Sequence, residues 1–187
     1  MSAAITTVSP LSLTDTPTAT DSLHLNKTKS THSGVSLFYS YSHEDEAYRQ
    51  YLEKHLKLLQ RMGIIRVWHD RMIEAGMLWE TDIKQQLESA QIILLLISPD
   101  FLFSDYCYDI EMKRALQRHH AGTARVVPIA LRPVDSTDAP FMVLQGLPTG
   151  FKPVTEWANQ DRAFVNIAQG IRQLARQIQQ PNHNRPR

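Results

Sequence analysis

The sequence predicts a three-layer α/β fold, with a five-stranded parallel sheet and helices on both of its faces. Short β-branched runs alternate with segments of helical period along residues 34–180, and that alternation gives a parallel sheet covered on both sides. The run Ile92–Ile97 is apolar at every position, so it reads as a central strand buried on both faces. Breakers fall between the runs at Gly63, Ser98-Pro99 and Gly122.

Residues 1–33 are rich in Ser and Thr and contain no aromatic residue. Such a segment buries too little apolar surface to offset its ordering, so disorder is expected there. The domain is expected from Gly34 to residue 180, with a polar tail over 181–187. Val35–Ser40 reads as the first strand. Ser42-His43-Glu44-Asp45 matches the S/T-x-x-D/E start signal of a helix. Tyr48, Leu52, His55, Leu56, Leu59 and Met62 follow at spacings of three and four, the period of an amphipathic helix, and Gly63 is its stop. Ile64–Trp68 is a second strand. After a loop from Arg71 to Met77, the residues Trp79, Ile83, Leu87 and Ala90 mark a second helix.

The central strand Ile92–Ile97 then feeds a helical segment on which Cys107, Glu111 and Ala115 are spaced four apart and share one face. A carboxylate between two small residues, just past the carboxyl end of a core strand, stands where open α/β sheets bind ligands. Arg125–Leu131 is a fourth strand. Pro128 within it removes a ladder donor, which points to an outer position or a bulge. A short fifth strand is expected at Lys152–Thr155. Asp161 is the expected cap of a last helix, which presents Phe164, Ile167, Ile171, Leu174, Ala175 and Ile178 on one face. The architecture is of flavodoxin-like type.

Composition narrows the function. Twenty Lys and Arg against 19 Asp and Glu leave a net charge of +1, which argues against a nucleic-acid binder. Cys107 is the lone cysteine, so neither an intrachain disulfide framework nor a multi-Cys zinc site is available, and no metal site is expected. A reducing, cytoplasmic compartment fits. The longest apolar run is far short of the roughly 20 residues that span a bilayer, so no membrane partner is expected.

Phosphate loops, the dinucleotide fingerprint and the nucleophile elbow are absent. Glu44, Asp45 and Asp100 only loosely imitate the acidic cluster of a phospho-acceptor receiver, without a well-placed Lys. His119-His120 is expected to complement a helix dipole rather than bind metal. Trp68 and Trp79 are expected in the core. Cys107 is expected to be a packed thiol, since no positioned base accompanies it.

Several motifs in order, however, carry a specific likeness: Val35–Ser42 with Glu44–Glu46, then Trp68-His69-Asp70, Gly76 and Trp79. Ser98-Pro99-Asp100-Phe101 and Ser104–Glu111 follow, and later Leu144–Pro148 and Pro153–Trp157. Over about residues 35–178 the chain resembles a bacterial Toll/interleukin-1 receptor (TIR) domain. The resemblance implies one of two functions. Many TIR domains cleave the nicotinamide–ribose bond of NAD+, releasing nicotinamide and leaving ADP-ribose or a cyclised variant. Others only assemble signalling complexes. NAD+ would be substrate, with no cofactor.

The resemblance places the essential glutamate of the TIR enzymes at Glu111. It places Tyr41, Ser42 and His43 on the loop that borders the nucleotide, with Tyr41 a candidate to stack on a ring and His43 to contact phosphate or ribose. Arg71 lies on the family's mobile loop, as a phosphate contact or a solvated residue, and Cys107 lies beside the glutamate. The implied partners are NAD+, further copies through TIR–TIR contacts, and an upstream activating protein or ligand, in defence or stress signalling. One departure stands out. Many TIR domains read Trp-Cys, two residues, then Glu, whereas Tyr106-Cys107-Tyr108-Asp109-Ile110-Glu111 is one residue longer, which makes Asp109 a rival for the carboxylate role.

Overall fold

The computed structural model describes residues 34–68 and 79–180. The expected disordered segment 1–33, the tail 181–187, the loop with Arg71 and Gly76, and the side chain of Trp79 lie outside the described residues.

Four strands form one sheet among the described residues: β1 (Val35–Ser40), β2 (Ile65–Trp68), β3 (Ile92–Ile97) and β4 (Arg125–Ala130). Their order is β2-β1-β3-β4 and every pairing is parallel. The expectation of five strands is therefore corrected to four. Lys152–Thr155 forms no strand: Val154–Glu156 is a 3-10 turn, tied to the end of β4 by one bond from the Thr155 amide to the Leu131 carbonyl at 3.2 Å. The outer flank of β4 carries instead a single parallel bridge between Ile129 and Leu147. The ladder stops there because the next amide that would face β4, that of Thr149, donates instead to Asn166 Oδ1 at 2.9 Å as the chain turns into the 3-10 helix Thr149–Phe151.

Pro128 is accommodated at this outer position. Its carbonyl accepts from the Leu147 amide at 2.8 Å, and the Ala130 amide donates to the Leu147 carbonyl at 2.8 Å. A strand residue points its N–H and C=O to the same side, so the missing proline donor faces the outer edge and not β3.

Alternate side chains divide between two apolar layers, as the period of two requires. Leu37, Tyr39, Leu94, Leu96 and Ile129 pack under α1 (Glu46–Arg61) and α5 (Gln160–Gln179). Phe38, Ile93, Leu95, Ile97 and Val126 face α2 (Trp79–Ser89), α3 (Pro99–Phe103) and α4 (Lys113–His120). All six residues of β3 are buried, as an unbroken apolar run demands. Trp68 is half-buried and stacks on Phe38 at 5.5 Å, in keeping with a packing role.

Gly63 (φ 64°) and Gly122 (φ 71°) stand just past α1 and α4 in the left-handed region, where a Cβ would be strained. Two caps differ from expectation. Ser42 makes no side-chain cap bond and a 3-10 turn, His43–Asp45, precedes α1, with the Asp45 carboxylate lying against Ser98 and Arg132. Asn159, not Asp161, caps α5 by accepting from the Arg162 amide at 3.2 Å, while Asp161 pairs with His55 at 3.2 Å. His119 is not the dipole-complementing cation expected. Burial, then Arg125 and His120, lowers its pKa, and its Nδ1 accepts the Val126 amide at 3.1 Å.

Candidate functional site

The sheet order reverses direction between β1 and β3, since the chain leaves β1 toward β2 on one side and returns to β3 on the other. Ligands of open α/β sheets bind at that crevice, beyond the carboxyl ends of the strands. A cavity of about 270 Å³ lies there. Tyr41, Ser42, His43 and Glu44 from the exit of β1 form one wall, and Ser104, Tyr106, Cys107 and Glu111 form another.

Glu111 sits on a π-helical turn, Tyr106–Met112, that runs directly into α4. Four residues of a π-helix sweep about 330°, against about 400° in an α-helix, so residues four apart still share a face. Cys107 and Glu111 are accordingly both buried, each 5% exposed. Ser40 at the end of β1 is fully buried, and its hydroxyl donates to Glu111 Oε2 at 2.6 Å. The Cys107 thiol donates to the Tyr41 carbonyl at 3.3 Å, which suits the packed role expected of it.

Asp109, the rival carboxylate, is 51% exposed, does not line the cavity, and pairs with Lys113 at 2.6 Å. Tyr41 lines the cavity, but only 7% of it is exposed and its hydroxyl donates to Glu46 at 2.6 Å. The exposed His43 meets the Tyr41 ring edge-on at 6.1 Å. Ser42 is half-buried beside them. The structure thus brings Tyr41, Ser42, His43, Cys107 and Glu111 to one cavity; Arg71 lies outside the described residues.

Glu46 anchors this wall from behind. Burial raises its pKa, but hydrogen bonds from Arg49, Tyr41 and Gln50 outweigh that and hold it down at about 2. Arg49 also bonds Glu53 at 2.5 Å; burial lowers its pKa, but Glu46 and Glu53 outweigh that and raise it.

The sequence motifs find the family match as well. The family model for the TIR domain matches residues 37–174, from β1 into α5. The chain belongs to the TIR-domain family. An uncharacterized protein, y4lF, of the bacterium Sinorhizobium fredii (strain NBRC 101917 / NGR234) is 49% identical over 143 residues. That likeness covers 76% of this chain and 44% of y4lF, so the chain spans less than half of this relative's length. Among solved structures, the TIR domain of the Toll-related receptor TRR-2 from Hydra magnipapillata aligns with a TM-score of 0.53 at 20% identity, over 75% of this chain and 97% of that one. The TIR domains of the activated Roq1 resistosome, which directly recognises the pathogen effector XopQ, align at 0.54 and 15% identity, over 74% and 99%. These two likenesses show the fold. In this TIR domain, no helix among the described residues is long and apolar enough to cross a membrane.

Sequence reasoning missed Ser40, Ser98 and Arg132. Ser40 counted only as a strand residue; a hydroxyl at the carboxyl end of a core strand, where the crevice opens, was the available signal. Ser98 accepts from the Phe101 amide at 3.0 Å as the cap of α3 and donates to the fully buried Asp45. Arg132, just beyond β4, forms an ion pair with Asp45 at 3.1 Å and a second with Asp100. Burial raises the Asp45 pKa, Asp100 and Glu44 add to the rise, and Ser98 and Arg132 oppose it.

Proposed function

We propose that this TIR domain is an NAD+ nucleosidase, with Glu111 as its working carboxylate. The observation that supports this best is the placement of Glu111: 5% exposed, bonded to Ser40 and lining a cavity at the sheet's switch point. In NAD+ the nicotinamide is cationic and leaves as a neutral ring. The C1′–N bond breaks with its electron pair passing to the ring nitrogen, so no general acid is required and a single carboxylate suffices. Glu111 stabilises the developing oxocarbenium charge or holds the ribose hydroxyls, and low surrounding polarity strengthens either interaction. Water then attacks C1′ and loses a proton, giving ADP-ribose; attack by the adenine of the same molecule gives a cyclic product. The cavity is slightly smaller than the ligand pockets of about 300–1,000 Å³, a size for the nicotinamide riboside end with the remainder outside.

In this reading the domain acts in defence or stress signalling, is active when self-associated, and answers to an upstream protein or ligand. The test is incubation of concentrated protein with NAD+, following nicotinamide and the ribosyl product by chromatography. Wild type and Asp109→Ala release nicotinamide; Glu111→Ala does not. No release in any assembled state, or equal release by Glu111→Ala, would leave the other reading, a TIR module that only assembles signalling complexes.

A further inference from the structure

Asp45 is fully buried, ends the 3-10 turn His43–Asp45, and directly follows the cavity residues Ser42, His43 and Glu44. It stands at the start of α1 yet caps nothing with its side chain. Its carboxylate turns to the far strand ends. Ser98 at the exit of β3 donates to Oδ2, and Arg132 beyond β4 stands 3.1 Å from Oδ1, an ion pair whose alignment falls short of a hydrogen bond. Arg132 is itself held by Asp100 in α3, and its amide leans on the Ile97 carbonyl at 3.4 Å. One side-chain cluster therefore joins the exits of β1, β3 and β4.

Such a cluster is a poor stabiliser. Taking charges out of water costs nearly what their attraction returns, and apolar residues of like volume often do as well. What it supplies is geometry, because a carboxylate hydrogen-bonded at one oxygen and ion-paired at the other fixes the turn that carries it. We propose that Asp45, gripped by Ser98 and Arg132, is a positioning residue that sets the Ser42–Glu44 wall of the cavity, and that substrate affinity depends on it. The inference rests on the reading of the cavity as an NAD+ site. Asp45 lies outside the cavity lining, so its removal loosens a wall and leaves the Glu111–Ser40 pair in place. A loosened wall weakens ground-state and transition-state binding alike, which raises KM and spares kcat.

The test uses the full chain with Asp45→Asn and Arg132→Gln. The second keeps the experiment decisive if the first fails to fold, because the Arg132 side chain is 31% exposed and its loss empties no core volume. Two readouts are taken. Initial rates against NAD+ concentration are expected to give a KM raised by roughly tenfold with kcat unchanged. Amide hydrogen exchange is expected to be faster at Asp45, whose N–H bonds the Ser42 carbonyl at 2.8 Å, with protection in β3 unaltered. A lowered kcat at constant KM would overturn the proposal, as would exchange at Asp45 that is unchanged or accelerated only in step with β3. If wild type does not turn over NAD+, the nucleosidase reading has failed, and the exchange comparison alone still decides whether Asp45 holds this wall.

Discussion

Ser40→Ala isolates the contact on which the candidate site turns. The Ser40 hydroxyl is fully buried and donates at 2.6 Å to a carboxylate that is itself 5% exposed. A hydrogen bond to a charged group contributes about 1.5–3 kcal/mol, against about 0.5–1.5 kcal/mol for a neutral pair. Losing it should destabilise the domain by about 2 kcal/mol, or about 4–8 °C in Tm for a chain of this size. Glu111→Gln keeps the acceptor and removes the charge. In that background Ser40→Ala should cost only about 1 kcal/mol, leaving a coupling energy of about 1 kcal/mol across the double-mutant cycle. Urea unfolding of the four proteins measures it, provided the m-value is constant. Additivity within about 0.3–0.5 kcal/mol would refute the reasoning, because it would mean that the hydroxyl does not recognise the carboxylate's charge. The cycle needs no activity, so it stands apart from the NAD+ assay.

Glu46 gives a pH signature. Its pKa falls from the usual 4.5 to about 2 in the folded chain, so its contribution to stability is complete above pH 4.5 and is lost as pH drops toward 2. Glu46→Gln should therefore be less stable than wild type at neutral pH and converge with it in acid, as followed by thermal melts across that window. In the core, Leu94→Ala in the fully buried β3 should cost about 2–5 kcal/mol, while Leu58→Ala on α1, at a site 55% exposed, should stay within about 0.5 kcal/mol; urea midpoints separate the two.

The strands and long helices were legible because periodicity records burial directly. Ile92–Ile97 has no polar residue to turn outward, and the three-and-four spacing of Leu52, Leu56 and Leu59 leaves one face for the sheet. The edge was not legible, because the β-propensity of Lys152–Thr155 loses to contacts far along the chain: the Thr149 amide is taken by Asn166 and Val154–Glu156 closes as a 3-10 turn. The caps failed for a related reason. Ser42-x-x-Asp45 carries a local start signal, but Ser98 and Arg132, far along the chain, offer the Asp45 carboxylate more than the helix terminus does. In the candidate site, Glu111 came forward through spacing and resemblance. Ser40 was not, since a contact across 71 residues leaves no periodic trace.

The extra residue between Cys107 and Glu111 shows how far spacing can be trusted. In a regular α-helix an inserted residue turns everything upstream by about 100°, but four residues still sweep about 400°, so Cys107 and Glu111 keep a common face in either kind of turn. Both are held from outside the helix: the thiol by the Tyr41 carbonyl, the carboxylate by Ser40. Beyond them Ala115 and Leu116 are fixed in the core. The turn that carries them, Tyr106–Met112, is a π-helix, whose four residues sweep about 330° and leave Cys107 and Glu111 on the same side. Its other side faces solvent, where Asp109 and Ile110 are exposed. Asp109, two positions before Glu111, faces solvent and pairs with Lys113, while the Ser40 hydroxyl holds the Glu111 carboxylate on the cavity side.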